Sequence, residues 1–226
     1  MLISQQDLHE KLPSMQAWEN TAWNEIEQKI QNPDFPCIFS LKAWKIQSLY
    51  LVFCHKGSPG NEYEDFIQGL KSYSEFIITT PESERLFNPL LVVFSPDFHD
   101  GHSLLAHGWE ALNHAHRHDP SPWPDSVSPN PDDASWSFCF CGIEYFINMS
   151  SPEHIQLQNR NLGSHLVFVI NARRNFDLVA NGQTPDGQAT RTRIRDRVAD
   201  YNQGFRPVEL GSYGTVENLE WKQYQL

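Results

Sequence analysis

Apolar residues recur along this chain with two distinct periods, and the periods divide it into helices and strands. Trp18, Ala22, Ile26 and Ile30 stand four apart within residues 14–31, which stacks them on one helical face, and Asn32-Pro33 ends the run. This predicts an N-terminal packing helix. Tyr63, Phe66, Ile67, Leu70, Tyr73 and Ile77 repeat at helical intervals and predict an amphipathic helix over residues 62–77. Residues 37–41 and 46–54 are rich in β-branched and aromatic side chains and are expected as strands. PLLVVFSP, residues 89–96, is a short apolar run between prolines, which suits a buried strand. A helix is expected over 101–118. In DPSPWPDSVSPNPDD, residues 119–133, repeated prolines fix φ and remove donors, so no regular element is expected. WSFCFCGIEYFINM alternates on both sides of Cys141-Gly142, the pattern of a tight hairpin. HLVFVIN, residues 165–171, predicts a further strand, and residues 189–201 a basic last helix. Hairpin strands interspersed with helices predict an α+β fold: a single domain over residues 1–226, built on one mixed, mostly antiparallel sheet with flanking helices.

Charge narrows the partners. The 226 residues carry a formal net charge of -11, without the basic stripe that displaces counterions from phosphate, so nucleic acid is not an expected partner. The acidity favours a cationic ligand and equally serves solubility. No run reaches the ~18 apolar residues of a membrane span. The N-terminal MLISQQDLHEKLPS lacks a basic region followed by an apolar one, so a cytoplasmic location away from membranes is expected. Cys37, Cys54, Cys139 and Cys141 match neither paired-cysteine zinc spacing nor a disulfide framework.

Candidate chemistry comes from histidines, arginines and one thiol. At ~100° per residue, His116 falls on the helical stripe of Leu105, Trp109 and Leu112, whereas His107, His114 and His118 fall on the opposite face, expected to be solvated. His116 is then either a hydrogen-bonded core histidine or a functional one. His154 follows Ser150-Ser151-Pro152, where a strand end should meet a short helix. A serine cap and free backbone donors at such a turn suit an anion. Arg173, Arg174, Arg191, Arg193, Arg195 and Arg197 are the basic concentration of the chain, suited to carboxylates, with pairing of Arg193 and Arg197 to Asp196 or Asp200 on a solvated helix as the alternative; Arg160 stands apart. Cys37 is a small buried thiol or a thiolate ligand.

Three segments together carry a family resemblance: FPCIF at residues 35–39, WEALNHAHRHDPSPWP at 109–124 and NMSSPEHIQLQNRNLG at 148–163, with a likeness that runs from about Phe35 into the late ELGSYGTVENLEWKQYQL. They resemble the YqcI/YcgG family, some of whose members are heme-dependent N-oxygenases acting on guanidine or amine groups of amino acids. The resemblance implies a heme cofactor, molecular oxygen as co-substrate, an external electron donor and a small cationic, arginine-like amino acid or guanidine substrate, with a homodimer as a candidate assembly. Trp109, Leu112, His116 and Asp119 match the spaced W, L, H and D of the family, and Arg160 matches the arginine after its turn. Where the family has a His-Pro pair, this chain has Ser151-Pro152 and then His154. The resemblance makes His154 the first and His116 the second expected iron ligand. His154, His116 and Asp119 are the expected catalytic residues, with Ser150, Ser151, Trp109, Arg160 and Arg173 around the cofactor. Trp109, Trp123, Trp136 and Tyr145 are candidate pocket walls, with Asp119 or Glu144 to receive a cation. A non-heme iron or other metal oxygenase and a non-catalytic small-molecule or heme-binding protein stay open as alternatives.

Overall fold

The computed structural model describes residues 1–210 and 219–226. Residues 211–218, much of the late segment that entered the family resemblance, lie outside the described residues. Among the described residues six strands, β1 (Ile3–Ser4), β2 (Tyr50–Cys54), β3 (Leu90–Phe94), β4 (Phe138–Phe140), β5 (Ile143–Ser150) and β6 (Val167–Ala172), form one sheet in the order β1-β2-β3-β6-β5-β4. Only β2 and β3 run parallel; every other neighbouring pair is antiparallel. The fold is therefore α+β with a mixed, mostly antiparallel sheet, as the alternation of periods implied.

Helices α1 (Gln5–Lys11), α2 (Ala17–Gln31) and α3 (Ile38–Lys45) precede β2; α4 (Glu64–Thr79) and α5 (Glu82–Arg85) lie between β2 and β3. The long α6 (Leu104–Arg117) follows β3, and α7 (Arg173–Val179), α8 (Pro185–Tyr201) and α9 (Glu220–Tyr224) follow β6. The stripes read from the sequence fall in α2, α4 and α6, and the basic last helix is α8. Residues 37–41 overturn a sequence expectation: Ile38 opens a helix rather than a strand, and Cys37 is its N-cap residue. Five residues of CIFSL favour a strand by composition, but the continuation through Lys42, Ala43 and Trp44 allows a helix whose Ala43 is buried against α2. Tertiary packing outweighs so small a local preference.

Strand alternation sorts the core into two layers. Val52, Leu90, Val92, Phe94, Tyr145, Ile147, Met149, Phe168 and Ile170 face α4 and α6. Helix α4 comes so close to β2 that a Cβ on Gly69 would clash with Val52 Cγ2. On the other face, Leu51, Phe53, Leu91, Val93 and Val167 pack beneath Trp23, Ile26 and Ile30 of α2. The β4–β5 hairpin turns on Cys141 and Gly142 at φ of 52° and 72°. Positive φ at both central residues is the turn that matches strand twist, and glycine takes it without a Cβ clash. No helix among the described residues is long and apolar enough to cross a membrane.

Candidate functional site

Along β5 and β6 the second face of the sheet changes character. Phe146, Asn148 and Ser150 of β5, with Val169 and Asn171 of β6, point to one side, where the period-two alternation puts polar atoms on an interior wall. These side chains are the floor of a cavity of about 260 Å³. Pro36, Cys37, Phe39 and Ser40 at the start of α3 close one side, and Asn159, Arg160 and Leu162 another. Phe176 of α7 and Arg191, Ile194, Arg195 and Val198 of α8 complete the enclosure. Arg197 fastens α8 over the site, its Nη2 donating to the carbonyls of Pro33 (2.7 Å) and Phe35 (2.8 Å).

Three cavity groups carry most of the chemistry. Arg160 is 3% exposed, and its Nη1 has no hydrogen-bond partner among the described residues. Burial pushes its guanidinium down to about 10, with Cys37 nearby opposing the shift, so it is cationic at neutral pH. Arg173, at the junction of β6 and α7, is buried and ion-paired with Glu220 of α9. Cys37 is a free thiol at the N-cap of α3.

Ser150, Arg160 and Arg173 thus lie together around the cavity, whereas the remaining expected residues do not line it. Ser151 is buried behind the wall: its N–H donates to the Arg160 carbonyl at 2.8 Å, and its Oγ accepts from Glu153 N. His154 Nδ1 lies 3.0 Å from Arg160 O and 3.3 Å from Ser151 N, while Nε2 lies 3.3 Å from Gln225 O. Both ring nitrogens are engaged by backbone groups. Burial pushes this imidazole below the ordinary histidine range, against the opposing pull of the carbonyls. Trp109 and Asp119 belong to the opposite side of the sheet. Trp109 stacks on Tyr224 and donates to Gln225 Oε1 at 2.6 Å, and Asp119 Oδ1 accepts from Ser121 N and Cys141 N.

The expected roles of His107, His114 and His116 are reversed, while His118 is exposed as expected. His116 is exposed, in edge contact with Trp123, whereas His107 and His114 are buried. Of the stripe drawn through Leu105, Trp109 and Leu112 only Leu112 is buried, the other two being part-buried; the buried arc is centred on Leu104, Gly108, Ala111 and Ala115. His107 is satisfied there by Asp100 Oδ1 at 2.9 Å and Tyr63 OH at 3.3 Å. No group of three or more His, Cys, Asp or Glu among the described residues is arranged to hold a metal ion.

Comparison with known proteins completes the description. The YqcI/YcgG family model matches residues 26–226. The chain belongs to the YqcI/YcgG family. It is 40% identical over 228 residues to a Streptomyces lavendulae protein provisionally named as the N(omega)-hydroxy-L-arginine synthase DcsA, covering 100% of this chain and 84% of that one. It is 27% identical to YqcI of Bacillus subtilis (strain 168), covering 100% of this chain and 89% of YqcI. With YcgG of the same strain the identity is 28%, over 97% of this chain and 86% of YcgG. No solved structure matches.

Of the three segments that carried the YqcI/YcgG resemblance, two meet at the cavity: Phe35, Cys37 and Phe39 come from the first, and Asn148, Ser150, Asn159, Arg160 and Leu162 from the third. The 109–124 segment lies across the sheet, and Gln225 connects its Trp109 to His154. Asn148 and Asn171 escaped the sequence reading. The available signal was an asparagine inside each of two strands that otherwise bury apolar side chains.

Proposed function

We propose that this protein is a heme-dependent N-oxygenase that hydroxylates a guanidine nitrogen of an arginine-like amino acid, with the cavity beneath α8 as its active site. The full-length likeness to DcsA carries the reaction class. The cavity supports the cofactor by its donor set. Cys37 offers a soft ligand for iron, Phe35, Phe39, Phe146 and Phe176 offer apolar faces for a porphyrin, and Arg191 and Arg195 offer guanidinium groups for propionates. Among the described residues that line the cavity there is no histidine, so this reading gives the iron to Cys37 in place of His154 or His116.

Heme bound there would supply the iron at which molecular oxygen is activated, with electrons from an external donor. The chain's part is binding and exclusion. Leu91, Val169 and the aromatic walls keep water from the reacting nitrogen, which protects the oxidant from side reactions.

Folded protein titrated with heme should show a saturable Soret band. Reactions supplied with reductant, oxygen and L-arginine should yield a product heavier by one oxygen atom on mass spectrometry. A folded protein without a saturable Soret change removes the cofactor. Bound heme with no turnover across the basic amino acids removes the reaction and leaves a binding protein.

A further inference from the structure

Among the described residues, two buried polar atoms on the cavity residues have no hydrogen-bond partner: the Nη1 donor of Arg160 and the Oδ1 acceptor of Asn148. Their chemistry is opposite, yet they do not satisfy each other. No ion pair holds Arg160 among the described residues, in contrast to Arg173, which is paired with Glu220. An unmet buried donor and acceptor destabilise a fold unless water or a ligand completes them.

The two are rooted on one wall. Asn148 and Ser150 point the same way from β5, and the backbone carbonyl of Arg160 is bonded to Ser151 N at 2.8 Å, which fastens Arg160 beside the end of that strand. A ligand that meets both must present an anion for the guanidinium and an N–H donor for the amide oxygen. We propose that Arg160 and Asn148 form a head-group subsite for an α-amino acid, with the carboxylate on Arg160 and the α-ammonium on Asn148. The apolar surface of Phe146, Leu91 and Val169 then takes the side-chain stem. The half-buried Arg191 and Arg195 on α8 are left for propionates, while the deeper Arg160 serves the substrate. The assignment rests on the N-oxygenase reading for the identity of the ligand and adds to it a selection for amino acids over guanidines without a carboxylate.

The test is calorimetric binding to heme-loaded protein of L-arginine, agmatine, which lacks the carboxylate, and 5-guanidinopentanoate, which lacks the α-ammonium. Wild-type protein should bind arginine about 30-fold more tightly than agmatine, the usual worth of a hydrogen bond to a charged group. R160Q should bring arginine down to the agmatine level and leave agmatine unchanged. N148L should weaken arginine about tenfold without changing 5-guanidinopentanoate. The wild-type comparison needs no variant, so misfolding of R160Q does not shield the idea. Equal wild-type affinity for arginine and agmatine overturns it, as does an R160Q protein that loses heme while keeping the arginine preference, which would make Arg160 a propionate ligand. Arginine bound through its head group but never oxygenated upholds the subsite and sinks the N-oxygenase reading. Equal hydroxylation of arginine and agmatine does the reverse.

Discussion

Replacing Glu220 by glutamine tests the buried network that closes the cavity against the C-terminal helix. Glu220 is 2% exposed; its Oε2 pairs with Arg173, and its Oε1 accepts from Ser137 Oγ at 2.7 Å and lies 2.7 Å from Tyr224 OH. Tyr224 OH in turn accepts from Phe138 N and lies 2.8 Å from Tyr145 O, so one carboxylate joins α9 to β4, β5 and β6. Glutamine keeps the shape and an acceptor for Ser137, but it takes the charge from Arg173 in a region that water does not reach. Breaking a buried ion pair costs about 3–5 kcal/mol, and the surviving acceptor places E220Q near the lower end. For a chain of this size that lowers the melting temperature by roughly 6–12 °C. Urea unfolding followed by circular dichroism gives the free energy. A cycle with R173M should show coupling of about 2 kcal/mol or more, because the double variant removes both charges of the pair. A cost under about 1 kcal/mol for E220Q, or additive single effects, would refute the network as the clamp on α9.

Other outcomes follow from the same geometry. C37S should abolish or strongly shift the heme Soret band, whereas H154A and H116A should leave it in place; a spectrum altered only by H154A would return the iron to that residue. H107A should cost about 2 kcal/mol through the lost partner of Asp100 and Tyr63, while exposed H116A should stay within about 0.5 kcal/mol, both read from urea midpoints. Asp100 is held below the ordinary carboxylate range, first by Lys56 and then by His107, so its contribution is present above the unfolded value of about 3.9 and fades as pH falls toward the folded one. The stability gap between wild type and D100N, followed by thermal melts between neutral pH and strong acid, should therefore shrink below about pH 4; a gap that widens there contradicts the assignment.

The local periods in the sequence were enough to read α2, α4, β3, β6, α8 and the Cys141-Gly142 hairpin, because each rests on side chains a few residues apart whose spacing already defines a face. The α+β class and the mixed sheet followed from those elements. Short pieces such as α1, α7 and α9 carry too few turns for a period to emerge, and their placement depends on contacts such as Glu220 with Arg173. Periodicity also gives only relative angles around a helix. It could not say which arc of α6 meets the sheet, so His116 and His107 exchanged places. The site was legible in part. Segments 35–39 and 148–163 stood out in sequence, and the cavity joins them, bringing Cys37, Ser150 and Arg160 to its walls. That His154 is engaged by backbone on both nitrogens, that Trp109 and Asp119 lie beyond the sheet, and that Asn148 and Arg160 keep unmet polar atoms are facts of long-range contact. Hydrogen-bond satisfaction belongs to the folded environment of an atom, and residues more than a hundred positions apart compose that environment here.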